Sequence, residues 1–425
     1  MSEPRRGSLF VIFLTVFIDL LGFGMVLPLL PNYAATFDVD AGGFVIGLLM
    51  SSFSAMQFLF APWWGRLSDR IGRRPVLMIG LAGSAVCYTI FAVAAVQESL
   101  TLLFVSRIGA GVAGATISTA QAYIADVTPL SGRAKGMALI GAAFGLGFTF
   151  GPLFGAGALL IADEGSLSPW PGYLAAGLST AALMMAYFRL PESLPRDLKP
   201  KRRALIDWSS LHEALRIPSI ALLLLTMFIS VLSFANFEST LALLLKQPEG
   251  GFKFTDSHVL LVFTYIGFVL TVVQGGVVRR LADRVAERAL ATFGAAVALV
   301  GFVLMSVSAN SSSFTLLMIA LAVEVTGFAF ITPSVNSLIS RRSDPAKQGG
   351  ILGVGQSVSS LSRIVGPMIG IPLFYRTAEL PYWTGAALML VALVLITIAV
   401  RAGGDFPTEE TGELKQPASD GITST

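Results

Sequence analysis

Long apolar stretches, twelve in all, follow one another along this chain with mostly short polar segments between them. They run over 8–31, 43–64, 76–96, 100–123, 135–160, 170–190, 218–245, 258–278, 289–309, 313–339, 349–375 and 382–400. A helix rises about 1.5 Å per residue, so roughly 20 apolar residues cross a hydrocarbon core of about 30 Å. Barrel strands need only about 10 residues and alternate in polarity, a pattern absent from these stretches. The expected fold is therefore all-α and membrane-embedded, with 12 transmembrane helices. Composition agrees: 54% of the 425 residues are hydrophobic and 13% charged, with a mean hydropathy of +0.75. A soluble domain needs more charge than this on its surface. The opening MSEPRRGSLFVIFLTVFIDLLGFG begins as a signal peptide would, but its apolar run is long and lacks a cleavage site, so it reads as the first span.

With twelve spans, both ends share one face. Of the 29 Lys and Arg residues, only Lys246, Lys253 and Arg376 fall on the opposite face, while Arg107 and Arg363 fall inside spans. Cationic loops stay in the cytoplasm. Both termini are expected there, in a multi-pass protein of the cell (inner or plasma) membrane. The longest charged interruption divides the chain into an N-terminal six-helix bundle at 1–190, a linker at 191–217 and a C-terminal six-helix bundle at 218–402. The linker ends in SLHE at 210–213, which has the form of a capping box and predicts a short interfacial helix. The tail at 403–425 is polar and is expected to be disordered.

The second half echoes the first. Leu67, Asp69, Arg70 and Arg74 align with Leu281, Asp283, Arg284 and Arg288 at an offset of 214, and Gly151, Pro152 and Gly155 with Gly366, Pro367 and Gly370 at an offset of 215. Each half starts and ends on one face, which makes the halves parallel repeats about an axis along the membrane normal. A substrate then sits between them near the midplane.

The string GRLSDRIGRRPVL at 65–77 closely resembles the loop motif of the major facilitator superfamily, and the likeness extends over nearly the whole chain. Three more segments resemble its twelve-span drug:proton antiporters, the group of the tetracycline efflux pumps. These are DLLGFGMVLPLLP with Asp19, Pro28 and Pro31, SRIGAGVAGA with Arg107, and GLGFTFGPLFGAG in the fifth span. The last departs from the family pattern, because Ala156 stands where a second glycine is usual. The resemblance implies a secondary active transporter that exports small hydrophobic or cationic compounds in exchange for protons by alternating access. It implies no cofactor beyond the proton gradient, no nucleic-acid partner, and a monomer in the bilayer.

The motif residues have physical roles to fill. Gly65 lets a neighbouring helix approach closely. Asp69 ends the second span, where it can face the positive N-terminal end of the eleventh. With Gly72, Arg70, Arg73 and Arg74 it is expected to latch the halves in the outward-facing state. Asp126 and Arg133 after the fourth span, and Asp283 and Arg284 in the second copy, are expected gate residues; a solvated loop that only sets topology is the plainer reading. Gly145, Gly147, Gly151, Gly155 and Gly157 leave the fifth span smooth, and Pro152 removes a backbone hydrogen bond. That helix is expected to pack closely on the eighth span of the other half.

Ionisable groups inside spans are costly, so each is a functional candidate. Asp19 lies roughly 16 Å and Arg107 roughly 10 Å from opposite membrane faces, at about 1.5 Å per residue, so a long arginine side chain can span the difference in level. Asp19 is expected to carry the coupling proton, with burial and Arg107 acting on it in opposite senses. A structural ion pair, or an Arg107 that holds a substrate carboxylate, is the alternative. Glu238 and Asn236 are expected in the substrate cavity with Arg363, Phe234 and Phe237, and with Phe328 and Phe330 as further aromatic lining. Glu324 is a second proton site or the partner of Arg363.

Other classes are poorly supported. The chain has one cysteine, Cys87, and two distant histidines, His212 and His258. It contains no GxSxG, HExxH or P-loop string, so neither a hydrolase nor an ATP-driven pump is indicated. No metal site is expected. Proton-coupled uptake, or export of a metabolite, lipid or peptide, is the alternative within transport. A membrane sensor that binds without carrying is the alternative outside it, and the linker and tail are short for a signalling domain.

Overall fold

The computed structural model describes residues 6–37, 42–128, 133–161, 167–194, 208–247, 252–282, 284–344 and 347–406, with backbone alone at 6–8, 133–138 and 208–209. Among these residues every regular element is a helix and no strand is present. The N-terminal half contains α1 (Arg6–Val26), α2 (Leu30–Ala35), α3 (Phe44–Ile71), α4 (Arg73–Val96), α5 (Leu100–Gly114), α6 (Ile117–Val127), α7 (Arg133–Leu159) and α8 (Trp170–Arg189). The short α9 (Trp208–Arg216) precedes α10 (Pro218–Lys246), α11 (Asp256–Val272), a π-helical turn (Val273–Val278) and α12 (Arg279–Ala282). The chain continues through α13 (Glu287–Ser311), α14 (Phe314–Arg342), α15 (Gln348–Arg376) and α16 (Leu380–Ala402).

Local chemistry accounts for the helix ends and breaks. Ser99, Thr255 and Ser313 each accept a first-turn backbone N–H through their hydroxyls. Pro218 and Pro381 occupy first-turn positions, where no N–H is needed. The first span breaks between α1 and α2 around Pro28, which cannot donate a helical hydrogen bond. The fourth span breaks between α5 and α6 at Ala115 and Thr116, and the eighth carries the π turn at Gly275 and Gly276. α7 runs unbroken through Pro152.

Eleven of these spans, among the described residues, are long and apolar enough to cross a membrane. The expected sixth span is the 20-residue α8. It falls outside that set because Trp, Tyr, Gly, Ser and Thr dilute its apolar content, yet it packs against α1 and α4 inside the bundle. The linker helix α9 is present, but not as a capping box: Ser210 lies inside it, and Glu213 pairs with Lys347 at 2.6 Å. The Glu213 carboxylate draws the Lys347 ammonium above its usual range. The tail beyond 406 lies outside the described residues, while Asp405 is held against Arg341.

Packing repeats between the halves. α7 lies on α1 of its own half and on α11 of the other, and α15 correspondingly lies on α10 and on α3. Gly147 and Gly151 fit against Leu20, Leu21 and Gly24 of α1, and Gly366 and Gly370 against Ala235 and Asn236 of α10. This is the contact pattern of two parallel repeats related by an axis along the bundle.

The inter-half contacts gather at one end. Call the end bearing Arg74, Arg341 and Arg401 the terminal face and the other the distal face. On the distal side, Gly43 meets Tyr375, Gly47 meets the Pro367 carbonyl, and the Ser51 hydroxyl donates to the Ile364 carbonyl. Gly155 meets Leu260, and Gly267 meets the Phe148–Thr149 backbone. An apolar cluster of Met25, Leu30, Leu49, Leu243, Leu260 and Ile371 plugs this end from both halves. Further along the same stripes toward the terminal face, Gly141, Gly275, Gly349 and Gly353 have nothing in van der Waals reach. The halves therefore form a V, closed distally and open at the terminal face.

Candidate transport site

A cavity of about 30 Å³ lies between the halves, just inside the distal seal. Phe23 of α1, Leu27 in the break after it, Met50, Phe53 and Ser54 of α3, and Arg107 of α5 line it from one half. Ala235, Glu238 and Ser239 of α10, with Arg363 and Pro367 of α15, line it from the other. One water needs about 10–15 Å³ by the same measure, and drug-sized ligands need hundreds. The cavity is thus the narrow apex of the V, where only water fits in this conformation.

Three charged side chains converge there. Arg107 is 2% exposed. Its guanidinium lies over the rings of Phe53 and Phe23, at 4.6 and 5.7 Å, a cation–π arrangement that offsets part of the desolvation of the charge. Its Nε and Nη2 have no hydrogen-bond partner. Across the cavity, Arg363 Nη1 stands 3.7 Å from Glu238 Oε2.

Several expected contacts take a different form. Asp19 and Arg107 do not pair: no ion pair joins them, and the side chain of Ser84 faces the Asp19 carboxyl instead. Arg107 is turned instead toward the aromatic rings of α1 and α3. Asp19 Oδ1 is enclosed without a partner. Arg363 pairs with Glu238, not with Glu324. Glu324 is 1% exposed, and its Oε2 lacks a partner. The Glu324 backbone is pressed against Gly301 of α13, so the residue lies in a helix seam away from the cavity wall.

Asn236 also lies in a seam. Its Nδ2 donates to the Pro381 carbonyl at 2.7 Å, and its Oδ1 faces Gly370. Phe234 stacks on Phe328 at 4.0 Å, and Phe237 meets Phe302 edge-on. Neither lines the cavity here. Phe330 packs on Phe293 away from it.

The 65–77 loop is tied down within its own half. Arg73 Nη1 pairs with Asp69 at 2.6 Å, and its Nε with Asp126 at 3.1 Å. Asp69 therefore does not reach the start of α15, and a Cβ at Gly65 would touch nothing. Gly72 adopts φ +105 between α3 and α4, a conformation that favours glycine. Arg74 donates to the Tyr187 carbonyl and lies over its ring. Arg70 lies in the last turn of α3, and Arg284 is exposed on the terminal face. Asp283 and the Arg133 side chain lie outside the described residues.

Three participants, Glu192, Thr149 and Thr271, have no clear sequence signal. Glu192 follows the sixth span, yet its carboxylate accepts the backbone N–H groups of Arg73 and Arg74 at 2.9 and 3.2 Å. Thr149 and Thr271 share a hydroxyl contact of 3.1 Å across the α7–α11 seam. Among the described residues, no cluster of His, Cys, Asp and Glu could hold a metal ion.

A family model described as Major Facilitator Superfamily matches residues 12–367 and again 281–420. The chain belongs to the major facilitator superfamily. Members of this family are membrane transporters, not enzymes. The chain is 33% identical over 395 residues to the class C tetracycline resistance protein of Escherichia coli, covering 91% of this chain and 96% of that one. It is 29% identical over 447 residues to human major facilitator superfamily domain-containing protein 10, covering 93% of each. A crystal structure of that human protein, described as an organic anion transporter, matches with a TM-score of 0.69 at 26% identity, covering 93% of this chain and all of the other. A bacterial homologue of the lysosomal transporter Spinster shares the fold, with a TM-score of 0.76 at 14% identity, covering 95% of this chain and 98% of that one.

Proposed function

We propose that this superfamily transporter is a proton-coupled antiporter that exports small amphiphilic compounds, antibiotics among them, by alternating access. One observation carries the reading: charged side chains from both halves, Arg107, Glu238 and Arg363, meet among aromatic residues at the apex of a V-shaped cleft. The likeness to a tetracycline resistance protein supports export. The transporter works as a monomer with both termini in the cytoplasm, where Lys and Arg gather, and its halves at 1–190 and 218–402 rock about the linker. The V is then the state that loads from inside.

In this state Asp69 rests on Arg73. When the inside closes, α3 and α15 approach at their cytoplasmic ends, and Asp69 moves to the positive N-terminal end of α15. Asp19 carries the coupling proton, and Glu324 is a second site. A buried carboxylate without a partner is costly while charged, and a proton removes that charge. Arg107 answers the same step by exchanging its aromatic seat for substrate or Asp19. A second reading is export of organic anions, favoured by two guanidiniums facing one carboxylate in the cavity.

The test uses inside-out vesicles with an imposed pH gradient, labelled tetracycline, and a labelled aromatic carboxylate. Gradient-driven accumulation of either substrate, lost with an uncoupler and in Asp19→Asn, is the expected result. Accumulation that survives both treatments overturns proton coupling through Asp19.

A further inference from the structure

The terminal face of the C-terminal half carries a second polar hollow, remote from the central cavity. It measures about 540 Å³ and lies among the ends of α13, α14 and α16. Four arginines line it, Arg284, Arg288, Arg341 and Arg342, against two carboxylates, Glu287 and Asp405. Arg341 consumes both carboxylates, at 3.0 Å to Glu287 and 2.5 Å to Asp405. Among the described residues, no carboxylate lies in ion-pair range of the other three. Arg342 is 7% exposed; its Nη1 donates to the Ala399 carbonyl, while its Nε is buried without a partner.

The hollow continues past Arg288 and Val400 into a groove of about 430 Å³ between α13 and α16. That groove adds Arg401 at its rim and has Phe293 and Thr397 along its wall. Beyond it, Phe293 and Ile398 are 52% and 47% exposed on the apolar flank of the bundle. The site is thus cationic at the helix ends and apolar along the helices.

We propose that this hollow binds the headgroup of an anionic glycerophospholipid, with one acyl chain in the α13–α16 groove. Guanidiniums bind phosphate bidentately. The start of the 25-residue α13 adds a positive dipole end. Basic pockets between membrane helices suit such headgroups. A free phosphate would use the arginines but not the apolar groove, and the groove is what selects a lipid over a soluble anion. Docking there would clamp α13, α14 and α16 together at the face where the V opens.

The test is lipid retention and thermal shift on the purified full chain in a neutral detergent. The probes are dioleoylphosphatidylglycerol, dioleoylphosphatidylcholine, inorganic phosphate and glycerol 3-phosphate. The variants are Arg288→Gln/Arg401→Gln and, as a control at the same interface, Arg189→Gln/Arg216→Gln. Each arginine near an anionic headgroup is worth about fivefold in affinity. The double variant should therefore bind phosphatidylglycerol about 30-fold more weakly, while the control binds as wild type does. Equal loss in both variants overturns the site in favour of diffuse surface charge. Equal stabilisation by glycerol 3-phosphate or phosphate overturns the lipid. No preference over phosphatidylcholine in wild type overturns the proposal altogether.

Discussion

Replacing Gly267 by alanine tests the distal seal directly. A Cβ on Gly267 would stand 2.6 Å from the Phe148 carbonyl oxygen and the Thr149 Cα, both backbone atoms of α7. Ordinary contact begins near 3.4 Å, so α7 and α11 must retreat by about 0.8 Å in a packed seam. Such overpacking costs about 1–3 kcal/mol. The clash exists only while the distal end is closed, so it shifts the balance of the two states about 5- to 150-fold toward the distally open one. Alanine also favours helix over glycine, but that gain is common to both states and cancels. Gly275, eight residues along the same stripe, has nothing in reach, and Gly275→Ala is the matched control. The assay removes the single cysteine by Cys87→Ala and places a reporter cysteine at Gly141, on the open part of the α7 stripe. Maleimide labelling at 141 should slow in Gly267→Ala and not in Gly275→Ala. A reporter at Ser51 in the distal seam should label faster. Equal rates in all three backgrounds would refute the link between this seam and the open cleft.

Three further outcomes are expected. Glu192→Gln weakens the cap on α4 and should destabilise the folded protein by about 1 kcal/mol, read as a lower unfolding midpoint; an unchanged midpoint would mean that the cap is decorative. Glu238→Gln strands Arg363, but that side chain is 38% exposed, so solvent should hold the stability loss to about 1 kcal/mol; Glu238→Gln/Arg363→Gln should recover most of it, and a double-mutant cycle checks this. Arg107→Lys keeps the charge but loses the flat guanidinium that rests on Phe23 and Phe53. At about 1–2 kcal/mol, substrate affinity should fall about 5- to 30-fold with membrane insertion unchanged, and binding equal to wild type would remove Arg107 from the site.

The spans and the repeat were legible because both are one-dimensional. Apolar length sets each helix, and the recurring Asp-Arg and Gly-Pro strings carry the same spacing in both halves. Contacts between spans were harder to read, because depth along the normal says nothing about rotation about the helix axis. Asp19 and Arg107 illustrate this: counting residues along their spans predicts similar depths, yet Arg107 points at Phe23 and Phe53. Glu324 was the expected partner of Arg363, and only the three-dimensional packing selects Glu238 instead. Glu192 stays hidden because a cap 119 residues away in sequence leaves no local pattern. Gly65 depends on conformation, since its expected neighbour is absent while the terminal face is open.

The seams that close the distal end carry a mechanical consequence. At Gly47 against Pro367, and at Gly267 against Phe148, the halves touch through bare main chain, without meshed side chains. Such a contact acts as a bearing rather than a zipper. At these two points one half can roll on the other, so the resistance to opening the distal end is concentrated beside them, in the Ser51–Ile364 and Thr149–Thr271 contacts and the apolar plug.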